Sequence, residues 1–213
     1  IRRPPRSTLS SSSAASDVYK RQNLYNAQIL NAQGFKGYYQ YPDIHDNTIV
    51  FTSEGDIWKV SVNGGLAQRL TTHPEEERYA NISPDGKTLA YSASYEGPTE
   101  IYTIPIDGGI TTRWTYESET SSVTNWSSDN KIIYQTQAYN KLPDEQLVTI
   151  DLKTKIKSVV PLYQASEGTQ NEKGDWINAQ FTGSDGSVVI EWYQFDGDQL
   201  ISWVQTKAES VQE

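Results

Sequence analysis

His45, in the stretch PDIHDN, and His73, in THPEEE, are the side chains of this 213-residue chain best placed by type to move protons near neutral pH. Hydrolysis through either would need a hydroxyl nucleophile, the imidazole base and an orienting carboxylate converging within hydrogen-bond reach. Nothing in the spacing suggests that convergence. There is no GxSxG, HExxH, phosphate-cradling glycine loop, GxGxxG or calcium-loop pattern. Cysteine is absent, which removes thiol nucleophiles, disulfides and thiolate metal sites. The expectation is that this chain supplies no catalytic, cofactor-binding or metal-binding residue and takes no cofactor. His45 is expected at a turn, and His73 in a loop. The acidic run Glu75-Glu76-Glu77 behind Pro74 is expected to be solvated.

The elements that carry these residues look like strands. The chain holds 14 Tyr, 6 Trp and 4 Phe, with many Thr, Val and Ile, a mixture that favours sheet. No long 3.6-residue apolar period appears, and no run approaches the roughly 18 apolar residues of a membrane span, so no membrane partner is expected. The net charge is −9, and residues 23–213 alone carry −13, which argues against a nucleic-acid partner.

Self-similarity organises the middle of the chain. Ile49-Val50-Phe51, Leu89-Ala90-Tyr91 and Ile132-Ile133-Tyr134 align at offsets of 40 and 43 residues. A period near 40–45 residues with several strands per repeat marks propeller blades. In the second repeat, Ala80 to Ser83 form a first strand and Pro84-Asp85-Gly86-Lys87 a turn. Thr88 to Ala93 are the second strand and Glu100 to Ile106 the third. The third strand sets Ile101, Thr103 and Pro105 on one face, with Tyr102, Ile104 and Ile106 on the other. Asp107-Gly108-Gly109 is a hairpin turn that needs positive φ, and Ile110 to Thr115 are the fourth strand. Asn63-Gly64-Gly65 repeats that turn in the first repeat, and Asp151 to Lys155 replace it in the third. Asp56-Ile57-Trp58 and Glu100-Ile101-Tyr102 are equivalent, their aromatics expected to pack between neighbouring blades. Asn81-Ile82-Ser83 and Asn125-Trp126-Ser127 match a glycosylation pattern but fall on inner strands, which argues against modification.

SPDGK, an apolar triplet and EIYTIPIDGG resemble the TolB-type propeller repeat. GYYQYPDIHDNTIVFTSEGDIWKVSVNGGLAQRLT, ISPDGKTLAYSASYEGPTEIYTIPIDGG and QASEG resemble, in order, the N-terminal propeller of tricorn-type serine peptidases. The resemblance covers about residues 37–168. It implies an all-β, partial β-propeller of four-stranded blades, about three blades (38–76, 77–120 and 121–164) plus a doubtful fourth. It further implies a multidomain, homo-oligomeric, cytoplasmic peptidase that degrades oligopeptides, with this propeller as substrate gate or conduit. That family keeps its catalytic serine, histidine and acid in C-terminal domains, so no position here inherits those roles. The alternative is a TolB-like propeller that binds proteins without catalysis.

The two ends differ from the middle. Residues 1–22 carry +4, six serines and two adjacent prolines. A basic arm or a transit peptide would share that composition. The string also closely resembles translated sequencing-adapter read-through, and the reading adopted is a non-native, disordered leader followed by a linker over 23–36. A true start upstream is expected, and NLYNAQ as the tail of a lost signal peptide would move the protein to the periplasm. Residues 169–213 keep strand-like runs at 175–181, 187–195 and 199–206 but lose the SPDGK turn. They are read as a diverged blade or as an unrelated tail.

Overall fold

The computed structural model describes residues 37–139, 141, 144–162, 167–171, 173–182, 187–196 and 199–208. The leader, the linker, and the Ser184-Asp185-Gly186 and Gly197-Asp198 turns lie outside them. Two compact units divide the chain, Ile1–Tyr38 and Tyr39–Glu213, and every strand belongs to the second. No helix occurs among the described residues, and none is long and apolar enough to cross a membrane.

Among the described residues sixteen strands form four antiparallel sheets, each built from four consecutive strands. The first sheet is β1 (Gln40–His45), β2 (Thr48–Ser53), β3 (Asp56–Ser61) and β4 (Gln68–Arg69). The second is β5 (Glu77–Ile82), β6 (Thr88–Ala93), β7 (Glu100–Pro105) and β8 (Thr112–Arg113). The third is β9 (Ser121–Trp126), β10 (Lys131–Thr136), β11 (Gln146–Asp151) and β12 (Lys157–Val159). Residues after Gly168 make the fourth: β13 (Thr169–Gln170), β14 (Trp176–Thr182), β15 (Ser187–Asp196) and β16 (Gln199–Ala208). The fourth strand of the second repeat is shorter than Ile110 to Thr115, because only Thr112 and Arg113 pair with β7 and no strand lies on the outer side.

Turn chemistry sets the register. Gly86 sits at φ 69 and donates its N–H to the Ser83 carbonyl at 2.8 Å, closing the SPDG turn. Ser83 Oγ donates to Asp85 Oδ1 at 2.7 Å and accepts the Thr88 N–H at 3.0 Å. Ser127, Asp129 and Lys131 repeat these bonds, with Asn130 at φ 67 where the second repeat has glycine. Asparagine tolerates the left-handed region better than other side chains do. The first strands of the first three sheets carry a bulge at the same place, opposite Phe51, Tyr91 and the Ile133–Tyr134 step.

Strand alternation then sends each sheet's two faces to different neighbours. Leu89, Tyr91, Tyr102 and Ile104 pack with Val50 and Ile57 of the first sheet. Ala90 and Ile101, on the opposite face, pack with Trp126, Ile132, Tyr134, Val148 and Ile150 of the third. Ile133 and Leu147 continue the series with Val160, Leu162 and Trp176. Burying each of these large apolar side chains stabilises the fold by about 1.5–3 kcal/mol. Tyr102 thus packs between blades as the sequence suggests. Trp58 does not: it lies on the face of β3 turned away from the second sheet, beneath the Arg69 guanidinium at 5.9 Å. Its indole N–H donates to the Ser53 carbonyl at 3.1 Å.

Candidate functional site

Two polar devices repeat along the chain, the first within sheets and the second between them. The first is a latch at the start of the third strand in the first and second sheets. Arg69 bonds Asp56, and Arg113 bonds Glu100 at 3.1 Å. Each arginine also donates Nε–H to the carbonyl of a threonine two residues on, Thr71 or Thr115. Those threonine hydroxyls accept the buried N–H groups of Ile57 and Ile101, both at 2.8 Å. The second device runs along the first strands, at equivalent positions. Asp43 Oδ2 accepts the Ile82 N–H at 2.7 Å, the Asn81 carbonyl accepts the Trp126 indole N–H at 2.9 Å, and Asn125 Nδ2 donates to Thr169 Oγ1 at 2.7 Å.

The acidic run departs from expectation. Glu75 and Glu76 are exposed, but Glu77, the first residue of β5, is fully buried. Thr71 and Tyr95 donate their hydroxyls to its carboxyl, and Tyr95 also reaches the Tyr91 hydroxyl at 3.3 Å. Burial pushes the Glu77 pKa up, against these hydrogen bonds. At the next junction the equivalent of Glu77 is Ser121, and the carboxylate comes from Glu117, the equivalent of His73. Tyr134, Tyr139, Ser121 and Lys157 donate to it at 3.1, 2.8, 2.7 and 2.6 Å. Burial acts to raise the Glu117 pKa, but the bonds from Lys157, Ser121 and Tyr139 hold it below the ordinary carboxylate range.

The histidines lie apart from each other in role. His45 packs its ring against Gly86 of the following sheet, where a Cβ would stand 3.0 Å from the ring. Its nearest charge is Asp46 at 3.5 Å. His73 packs against Tyr95 with ring centroids 4.0 Å apart and planes tilted by 43°, and it accepts the Glu75 N–H at 3.1 Å. Among the described residues neither imidazole has a serine hydroxyl in hydrogen-bond reach, and no three acidic or histidine side chains group as metal ligands. Asn81 and Asn125 both line the interior beside the first strands.

What does gather there is a cavity of about 430 Å³, walled by β1, β5, β9 and the segment leading into β13. Tyr41 and Tyr79, at equivalent bulges of β1 and β5, bring their rings to 4.3 Å. Their φ values are 49 and 54, a region bulky side chains rarely occupy. Burial, and the hydrogen bond with Tyr41, push the Tyr79 hydroxyl pKa up. Asn125, Thr169, Glu167 and Gln135 are among the polar residues of the lining, and Gln135 Oε1 is buried without a partner among the described residues. Sequence reasoning did not single out these residues; the available signal was the alignment of Tyr41 with Tyr79.

Consecutive four-stranded antiparallel sheets, joined face to face with their first strands sharing one cavity, define a TolB-like β-propeller. The chain belongs to the family of tricorn protease N-terminal beta propeller domains, whose family model matches residues 36–212. Over 76 residues, 35% of this chain, it is 37% identical to a protein of Sulfurisphaera tokodaii described as a Tricorn-like protease N-terminal subunit. Over 64 residues, 30% of this chain, it is 31% identical to Tricorn protease homolog 1 of Streptomyces coelicolor. These matches span 38% and 6% of those proteins. Among solved structures, tricorn protease superposes with a TM-score of 0.65 at 17% identity, covering 79% of this chain and 18% of that one. A protein of Agrobacterium tumefaciens described as TolB superposes at 0.63 and 18% identity, covering 77% and 61%. At such identities the superpositions establish the fold.

Proposed function

We propose that this propeller is a gate or conduit through which oligopeptides reach the catalytic domains of a tricorn-type serine peptidase. The observation that carries the reading is the cavity walled by the first strands of the four sheets, lined by both apolar and polar side chains and wide enough for several peptide atoms. Hydrolysis belongs to other domains of the polypeptide, which acts as a cytoplasmic homo-oligomer. The test is Thr124→Trp, which narrows the cavity, in the complete peptidase. It should slow hydrolysis of a decapeptide several-fold more than that of a fluorogenic tripeptide. Equal effects on both substrates would overturn the conduit.

A second reading, a propeller that binds another protein, is favoured by a separate observation. Leu66, Ile110 and Ile156 stand at equivalent positions just after the third-strand turns, and they are 99%, 89% and 62% exposed. Three successive blades thus present an apolar side chain where water would otherwise favour a polar one. Replacing all three with serine should leave peptide hydrolysis unchanged if the conduit reading holds, and abolish partner capture if this one does.

A further inference from the structure

The four sheets do not end alike. On the outer side the first three stop on β4, β8 and β12, of two, two and three residues. Edge strands that short leave few backbone groups for another chain to pair with. The fourth sheet ends on β16, ten residues long and paired with β15 from end to end. Among the described residues no strand pairs with the other edge of β16. Every second residue of an edge strand turns its N–H and C=O away from the sheet, so β16 offers about five such residues. Its sequence, QLISWVQTKA, holds no proline or glycine and a single charge, Lys207. A bulge at Ile201 is its one blunting feature, and beyond it Ser202 to Ala208 keep seven consecutive pairs with β15.

We infer that β16 is a dimerisation edge, which pairs antiparallel with β16 of a second copy of this chain. The two fourth sheets then become one, with four strands from each copy. Residues alternate between the faces of a strand, so a two-fold antiparallel pair must be centred on a residue rather than between two. The middle of the regular segment is Gln205. Centring there sets Gln205 opposite the partner's Gln205, Val204 opposite the partner's Thr206, and Trp203 opposite the partner's Lys207. Two β-branched residues meet in each Val204–Thr206 pair, which suits cross-strand packing. The two lysines stand out of step by roughly 13 Å along the strands, farther than the screening length of about 8 Å. Two-fold closure consumes both edges, so assembly stops at the dimer. The pairing does not depend on the conduit, and a failed dimer would leave that reading standing.

The chain has no cysteine, so single thiols introduced into the 213-residue protein read the pairing directly. Gln205→Cys meets its own copy at about 4.5–5.5 Å between Cα atoms, within disulfide reach. Ser202→Cys, at an exposed position out of step with its copy, is the control. In oxidised glutathione Gln205→Cys should cross-link about tenfold faster than Ser202→Cys. Sedimentation velocity of the unmodified chain should show monomer passing to dimer, and no further, as concentration rises. Ser202→Lys with Ala208→Lys opposes like charges twice across the pair and should weaken the dimer about tenfold. Ser202→Glu with Ala208→Lys should restore it at low salt. A monomer at every concentration, growth beyond a dimer, or equal cross-linking at the two positions would overturn the inference. So would a dimer indifferent to the double-lysine change. Protection of the β16 amides from hydrogen exchange by an added peptide of residues 199–208, with none on concentrating the chain, would give the edge to a foreign strand and overturn self-pairing.

Discussion

Thr71→Val and Thr115→Val separate the two arms of the latch: both threonines hold the end of a blade to its third strand, and Thr71 alone also reaches the next blade through Glu77. Both threonines are buried, and valine matches their shape. Thr115 Oγ1 accepts the Ile101 N–H at 2.8 Å, so its loss strands one buried donor. That costs about 1–3 kcal/mol. Thr71 Oγ1 does the same for Ile57 and in addition donates to the Glu77 carboxyl. A second bond of that kind adds about 1–2 kcal/mol, bringing Thr71→Val to about 2–5 kcal/mol. Against a typical domain stability of about 5–15 kcal/mol, both changes are large. For a domain of this length each kcal/mol moves the melting temperature by about 2–4 °C. Thr112→Val, at an exposed position of β8, is the control and should stay within about 0.5 kcal/mol. Urea unfolding followed by tryptophan fluorescence should give midpoints in the order Thr112→Val, Thr115→Val, Thr71→Val, from highest to lowest, at constant slope. Midpoints for the two buried variants indistinguishable from the control would refute the latch. Equal losses at Thr71 and Thr115 would show that the Glu77 arm contributes nothing.

Glu77 and Glu117 should impose opposite pH signatures on stability. The folded-state pKa of Glu77 is raised above the ordinary 4.5, so its contribution is full below the unfolded value and is lost as pH rises through the folded one. Glu117 is shifted down, so its contribution is present above the ordinary value and is lost as pH falls through the folded one. Denaturation across pH 3–8 (about the range these shifts span) should therefore lose its alkaline decline in Glu77→Gln and part of its acid decline in Glu117→Gln; unchanged profiles would contradict the assignment. Gly86→Ala should cost about 2 kcal/mol, from its positive φ and from the His45 ring 3.0 Å away, whereas Gly64→Ala, with open space around it, should cost only the backbone part of about 1 kcal/mol. Adding His45→Ala to Gly86→Ala should bring its thermal midpoint back to the Gly64→Ala level. Arg113→Met leaves Glu100, 1% exposed, without its cation and should cost about 3–5 kcal/mol by chemical denaturation, while Arg78→Met, at an exposed pair, should cost under about 0.5 kcal/mol.

Much of the fold was legible because it is locally encoded. The bounds of β6 follow from alternation between an SPDG turn and a glycine-containing loop. The two faces of β7 follow from parity alone: Tyr102 and Ile104 go to one neighbouring sheet and Ile101 to the other. The positive φ values of Gly64, Gly65, Gly108 and Gly109 were written in the Asn-Gly-Gly and Asp-Gly-Gly turns. The site was not legible, because its pairs are distant. Tyr41 meets Tyr79 across 38 residues and Asn125 meets Thr169 across 44, each about one repeat, and the repeat tells which positions correspond but not which side chains touch. Glu77 looked like one more exposed acid because its burial depends on hydroxyls from Thr71 and Tyr95, which belong to different elements. The bulges that aim Tyr41 and Tyr79 leave no letter in the sequence.

The exchange of roles between Glu77 with His73 and Ser121 with Glu117 limits how such a repeat can be recombined. Each of these two seams keeps one carboxylate beside a pair of tyrosines, fully buried in Glu77 and partly buried in Glu117, but the upstream loop supplies it in one case and the downstream strand in the other. A crossover that set the loop of Glu117 ahead of the strand of Glu77 would crowd two acids into one dry space. The reverse crossover, His73 ahead of Ser121, would leave the hydroxyls of Tyr134 and Tyr139 facing no acid at all. Duplicated or shuffled copies of this module would therefore persist only when cut within a sheet, so that each seam is inherited whole. The unit of exchange is the junction, one half-blade out of phase with the repeat that the eye picks out of the letters.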